Sequence, residues 1–403
     1  MRSSTRLWLP LLLALSPGAL AAVPLWQDPA ARHLAFPGAP VAVSGLAWYG
    51  EEAPVLRRLP SRLRETFPPK VWALAQAPSG GRLRFVTDSA TVGILAQGAL
   101  PGPSPNTPVV ADSGLDLYVD GGFFGSTAPD AHGAIRWQWL ISRKRKRREI
   151  TLYLPVGKPI AVREILLEAG STVAAPRPFA LAKPVVYYGS SITQGFAASN
   201  AGMTFEAQLS RWLDVDFVNL GFSGNGLGEP ALARAVAEID AACFVVDYWA
   251  NPSAALYQRT LPGFLAILRE KHPLTPIIIT GPYYNPSEEA PGGEGERQLA
   301  KRAITREFVA ERRRAGDSHL IYVDGLEMIS RAQAEGLVDG RHANTLGFYY
   351  CARGLEPYLR RAHGLPARAQ PSPGEKSSCG RAHRKAIWQF YGTPVAARET
   401  RDR

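Results

Sequence analysis

The sequence predicts two architectures in series: an all-β, jelly-roll-like part, then an α/β part built on a parallel five-stranded sheet. Three observations carry this. From about residue 40 to 175, short segments alternate apolar and polar residues between clusters of Gly, Pro, Asn and Asp, the period of half-buried strands. After "AAPRPFALAKP" (174–184) the pattern changes to five short apolar runs separated by helical stretches, as in a parallel sheet covered on both faces. Finally, 403 residues with 46% hydrophobic and 20% charged composition suffice for two domains, each with a core.

Residues 1–22 stand apart from both. Arg2 and Arg6 precede a mostly apolar stretch from Leu7 to Leu20, and Ala19-Leu20-Ala21 fits a small-x-small cleavage site. This is the pattern of a secretory signal peptide, too short and too interrupted by proline for a good membrane span. No cysteine follows the expected cut, which argues against lipid attachment there. No later segment reaches about 18 unbroken apolar residues. The expectation is a secreted or periplasmic protein with no stable membrane insertion.

In the β-rich part, "GRLRFVTDSATVGILAQ" (81–97), "GLDLYVDGGFFGS" (114–126), "AIRWQWLIS" (134–142) and "EITLYLPV" (149–156) read as strands. No helical period competes with them. Between the last two lies "RKRKRRE" (143–149), six positive residues against one acid, which reads as a solvated hairpin turn. The tail from 366 to 403 has eight Lys or Arg against three acids and reads as basic and disordered, with "AIWQFYG" (386–392) as a possible docking patch. These two stretches hold most of the formal charge of +11. No nucleic-acid motif accompanies them, so no nucleic-acid partner is expected. Attraction to an acidic polysaccharide or an anionic surface is the other reading of the basic run. The cysteines, Cys243, Cys351 and Cys379, allow at most one disulfide and lack metal-ligand spacing. Cys243, inside "CFVVDYW", reads as a plain buried residue.

The five apolar runs of the second part are "PVVYYG" (184–189), "VDFVNLG" (215–221), "ACFVVDYW" (242–249), "TPIIITGPYY" (275–284) and "LIYVDGL" (320–326). Helical patterns fall at about 203–213, 229–240, 256–271, 294–315 and 346–363. The clearest contains "ERQLAKRAITREFVAERRR", rich in helix formers and in opposite charges three or four apart. Ligands of such sheets bind at the carboxyl ends of the strands, and four loops there carry chemistry-bearing residues. "YYGSSITQG" (187–195) follows the first strand, "NLGFSGNG" (219–226) the second, "DYWANPS" (247–253) the third and "VDGRHANTLGF" (338–348) the fifth.

A serine hydroxyl is a poor nucleophile until a base takes its proton. Of seven histidines, His342 alone has a carboxylate, Asp339, three residues before it on an apparent loop. That spacing lets the acid hold one ring nitrogen while the other faces the serine. The backbone N–H of Gly224 and the amide of Asn251 can serve a tetrahedral oxyanion, and glycine admits close approach.

In these blocks, in order, the second part resembles the SGNH hydrolases, the GDSL-type esterase superfamily: "GSSITQG", "NLGFSGN", "YWAN" and "DGRH". The resemblance implies a flavodoxin-like hydrolase domain with Ser191 as nucleophile and donor of one oxyanion N–H. Gly224 and Asn251 would complete the oxyanion hole, and Asp339 and His342 the catalytic triad. "SGLDLY" (113–118) contains the Gly-x-Asp-Leu-Tyr signature of a β-rich module found before some of these hydrolases. The resemblance covers about 45–363 and implies no metal or organic cofactor. Two positions depart from the family pattern. Ser190 stands where an Asp is usual, and "WANP" stands for Gly-x-Asn-Asp, so Trp249 either lines the site or is packed away. Asp130 and His132, a second acid–histidine pair, read as structural, and Asp116 and Tyr118 as supports of the first part or of its junction with the second.

The domains expected are a signal peptide (1–22), a β-sandwich module (23–176), a catalytic domain (177–365) and the tail. The function expected is that of a secreted serine esterase cleaving small O-acyl groups, O-acetyl foremost, on carbohydrate, with a small-molecule or polysaccharide ester as substrate. An acyltransferase using the same triad, or a carbohydrate-binding protein without catalysis, are the alternatives.

Overall fold

The alternation of the N-terminal half becomes two facing antiparallel sheets. In chain order the strands are β1 (Arg32–Ala35), β2 (Ala42–Ser44), β3 (Arg82–Thr87), β4 (Thr91–Gly98), β5 (Leu115–Val119), β6 (Gly122–Thr127), β7 (Ala134–Leu140), β8 (Arg148–Tyr153), β9 (Ile160–Leu167) and β10 (Val173–Ala174). One sheet has the order β1-β9-β4-β7, and the other runs β10-β3-β8-β5-β6 with β2 also on β3. Ile94, Ile135 and Ile165 of the first sheet meet Phe85, Leu117 and Ile150 of the second in a buried core, as in a β-sandwich. The computed structural model describes residues 23–366 apart from 101, 103, 291 and 292. The expected signal peptide, Cys379 and the 386–392 patch lie outside the described residues.

The basic run is not a hairpin turn. Strand β7 pairs with β4, whereas β8 pairs with β3 and β5, so residues 141–147, which hold most of the basic run, cross from one sheet to the other. A connection of that length spans the roughly 10 Å between stacked sheets comfortably. Residues 143–147 are exposed, as their charge requires. The β-rich part also holds helical turns absent from the strand reading. The longest of its α-helices, Pro69–Ala75, begins on a proline and buries Val71 and Ala75 four residues apart.

The second part follows its apolar runs closely. Strands β11 (Leu181–Gly189), β12 (Val215–Gly221), β13 (Cys243–Asp247), β14 (Ile277–Thr280) and β15 (Leu320–Val323) form a parallel sheet of order β12-β11-β13-β14-β15, the doubly wound flavodoxin-like arrangement. Helices Phe205–Leu213, Pro230–Val236, Ala254–Lys271, Glu294–Arg314 and Thr345–Ala362 connect and cover it. Strand order reverses at β11, so the carboxyl end of β11 is the switch point where such sheets bind ligands. Cys243 and Cys351 are buried free thiols, and burial pushes the Cys243 thiol up to about 12. Among the described residues no helix is long and apolar enough to cross a membrane.

The two parts share a core. Leu59, Val71, Tyr118 and Val156 belong to the same buried cluster as Val186 and Phe217, and the described residues up to Leu365 form one compact unit. Asp116 sits at the junction. One carboxylate oxygen accepts the Gly202 N–H at 2.8 Å, and the other accepts the Ser126 hydroxyl at 2.7 Å. The ring of Tyr118 lies against Tyr153, with the Arg211 guanidinium 4.5 Å above it. The outward carbonyls of β12 are also met from the β-rich side. Arg82 donates to Phe217 O, and Arg58 donates to Asn219 O and Gly221 O.

Candidate active site

Strand β11 delivers Ser191 through a tight turn. Ser190 is the N-cap, accepting the Ile192 N–H on its hydroxyl at 3.2 Å, and Ser191 opens the one-turn helix Ser191–Gln194. Gly189 permits the turn, because a Cβ there would lie 1.9 Å from Thr193 Oγ1 and 2.7 Å from Asp247 O. Ser191 Oγ lies 2.9 Å from His342 Nε2, and His342 Nδ1 lies 2.7 Å from Asp339 Oδ2. With Nδ1–H donating to the acid, Nε2 is left to accept the serine hydroxyl. Residues 151 positions apart thus meet because both loops leave the carboxyl edge of the sheet.

The acid is held firmly. Asp339 Oδ1 accepts the backbone N–H of His342 at 2.7 Å and that of Arg341 at 3.0 Å. Partial burial raises its pKa, but the hydrogen bonds from the His342 backbone and ring, then from the Arg341 backbone, outweigh it and hold the carboxyl down at about 2. The side chains of His342 and Asp339 are 21% and 41% exposed, whereas Ser191 is 6% exposed. His342 and Asp339 are thus in part open to solvent, while Ser191 is enclosed. Asn344 accepts the Leu346 and Gly347 N–H groups and so starts helix Thr345–Ala362 directly after the histidine.

The two expected oxyanion donors lie on linked turns. Gly224 has φ +65°, and the place a side chain would take is empty of described atoms within 4 Å. The Asn251 amide donates to Asn225 O, in the turn that holds Gly224, and retains a second N–H. That turn is tied to the serine's helix, since Ser223 N–H donates to Gln194 Oε1 at 2.9 Å. Trp249, by contrast, is packed away, its indole N–H on Asp247 and its ring edge-on to Tyr283. Asp130 accepts the backbone N–H of His132 and of Ala134, a turn cap.

Two residues of the neighbourhood escape sequence reasoning. Asp247, buried behind the serine's turn, accepts the hydroxyl of Thr193 at 2.9 Å, the indole N–H of Trp249 at 2.8 Å and the hydroxyl of Thr280. Its only sequence signal is a carboxylate inside an apolar run. Asn106, from the β4–β5 connection, donates to Asp339 Oδ2 at 3.2 Å; its proline-rich loop carries no signal for this.

A hydroxyl on a histidine whose far nitrogen rests on a carboxylate is the arrangement that generates an oxygen nucleophile at neutral pH. The fold and the matched regions define an SGNH-type hydrolase, an ester-hydrolysing enzyme. More narrowly, residues 182–360 match the GDSL-like lipase/acylhydrolase family, and residues 34–173 match the N-terminus of SGNH-hydrolase-type esterases, GxDLY. Among solved structures, a protein of Bacteroides ovatus described as a GDSL-like lipase is 28% identical with a TM-score of 0.77, over 84% of this chain and 100% of that one. The salicylyl-acyltransferase SsfX3 of a tetracycline biosynthetic pathway is 22% identical with a TM-score of 0.71, over 85% and 100%. A family two carbohydrate esterase of Clostridium thermocellum, in complex with cellohexaose, is 16% identical with a TM-score of 0.52, over 71% and 93%. No curated relative matches the sequence.

Proposed function

We propose that the protein is an exported serine esterase that removes small O-acyl groups, O-acetyl foremost, from carbohydrate. The observation that carries the reading is the hydrogen-bonded series Ser191–His342–Asp339. In the mechanism, Ser191 Oγ attacks the ester carbonyl as His342 Nε2 takes its proton, and Asp339 holds the imidazolium. The oxyanion receives the N–H groups of Ser191 and Gly224 and the free N–H of Asn251. Collapse expels the alcohol, which takes the proton from His342 and leaves the acyl group on Ser191. Water, deprotonated by His342, then releases the acid. Three considerations favour a sugar-borne ester: the expected export, the β-sandwich partner, and the partial exposure of the His342 and Asp339 side chains.

Hydrolysis of p-nitrophenyl acetate by the mature protein tests this. Activity is expected in the parent, and Ser191→Ala should lose nearly all of it. Asn251→Ala should lower turnover on the order of 10²–10³-fold. Well-folded parent protein without activity would sink the reading. Excess sugar acceptor separates hydrolysis from acyl transfer: a new ester in place of free acid would make the enzyme a transferase.

A further inference from the structure

The connection from β4 to β5 contains "SPNTP" (104–108) and belongs to the sandwich, yet it touches both loops of the candidate triad. We propose that Asn106 is a positioning residue of the reaction. Its amide completes the coordination of Asp339 and, with Thr107, fixes the acid–base loop relative to the nucleophile loop. The proposal rests on the reading of Ser191, His342 and Asp339 as the triad.

Asp339 accepts four hydrogen bonds. Its own loop supplies three, from Arg341 N–H and His342 N–H to Oδ1 and from His342 Nδ1–H to Oδ2. Asn106, 233 residues away in sequence, supplies the fourth, to Oδ2 at 3.2 Å. An ionised carboxylate only accepts, so the amide must turn its NH2 group toward Asp339. Its Oδ1 then accepts the Thr107 hydroxyl at 3.1 Å. Thr107 Oγ1 in turn accepts the Ala197 N–H at 2.9 Å. Ala197 lies just past the serine's helix and holds a left-handed φ of +73° without being glycine, a conformation that persists only where its surroundings dictate it.

The loop is itself braced, since Ser104 Oγ accepts the Thr107 N–H at 3.1 Å and Thr107 is buried. With a side chain 41% exposed, Asp339 would otherwise trade hydrogen bonds with water. The Asn106 amide holds the carboxylate against such rotation, and the carboxylate in turn aims the imidazole at Ser191. The sandwich thereby contributes to catalysis by orientation, without touching substrate.

Two variants test it. Asn106→Ala removes the donor. Asn106→Asp keeps the shape and the acceptor for Thr107 but sets an oxygen against Asp339. With p-nitrophenyl acetate, Asn106→Ala is expected to lower kcat about tenfold with KM little changed, and Asn106→Asp to lower it further. Thermal unfolding should stay near the parent's. The hydrogen bond is also read without turnover, as the low-field proton resonance of His342 Nδ1–H, assigned by its loss in His342→Ala. Both variants should displace that resonance. An undisplaced resonance, or parent-level kcat in Asn106→Asp, would overturn the proposal, as would losses confined to melting temperature. A parent that turns over no ester defeats the esterase reading instead, and the resonance still decides the role of Asn106.

Discussion

Asp247 closes the carboxyl end of β13 with its side chain enclosed among Thr193, Thr280 and Trp249. Burial raises its pKa, and the three hydrogen bonds recover only part of the cost, leaving it at about 6 against an ordinary 3.8. The folded state therefore binds a proton that the unfolded state has released, so this group's contribution to stability is full below about pH 4 and is lost as pH rises through about 6. The loss amounts to about 3 kcal/mol. Denaturant unfolding of Asp247→Asn at pH 4 and at pH 7 is expected to show that part of the parent's slope missing; an identical slope in both proteins would refute it. Legibility at this scale follows distance along the chain. Asp339 and His342 are three residues apart on one strand-end loop, so their pairing is written locally. Asn106 is not, because its partner lies across a tertiary contact and its own loop shows only turn composition.

Among the elements, β12 and the turn behind it depend on Arg58. The guanidinium is enclosed, donates to Leu74 O, Ala77 O, Asn219 O and Gly221 O, and lies 4.7 Å from the centre of the Phe222 ring. Burial, with no carboxylate in ion-pair reach among the described residues, lowers its pKa to about 9. Arg58→Met would fill the space and strand several buried carbonyls, which should destabilise the protein by about 3 kcal/mol or more. Turnover should fall as well, because the Gly221 carbonyl that Arg58 holds leads directly into the Gly224 turn. Denaturation midpoints and kcat of the folded variant check both effects. The parallel strands were readable because burial on both faces makes each an unbroken apolar run flanked by helical pattern. Membership of the sandwich sheets was not, because alternation marks a strand without naming its partner. The basic run at 143–148 therefore reads as a hairpin turn in the sequence, although β7 and β8 pair elsewhere.

For the whole molecule, the shared core makes the two parts interdependent. Residues 23–366 should unfold in one cooperative transition, with fluorescence and circular dichroism coincident. A fragment of 177–365 alone, deprived of Leu59, Val71, Tyr118 and Val156, should fail to give a cooperative transition; two separate transitions in the parent would contradict this. Arg58 and Arg82 also cover an edge of the parallel sheet. A parallel sheet ends in strands whose outer carbonyls invite another chain, and on β12 those of Phe217, Asn219 and Gly221 are already engaged by Arg82 and Arg58. In the folded chain that edge is therefore already met by residues of the same molecule, which leaves those three carbonyls closed to edge-to-edge addition by a neighbour.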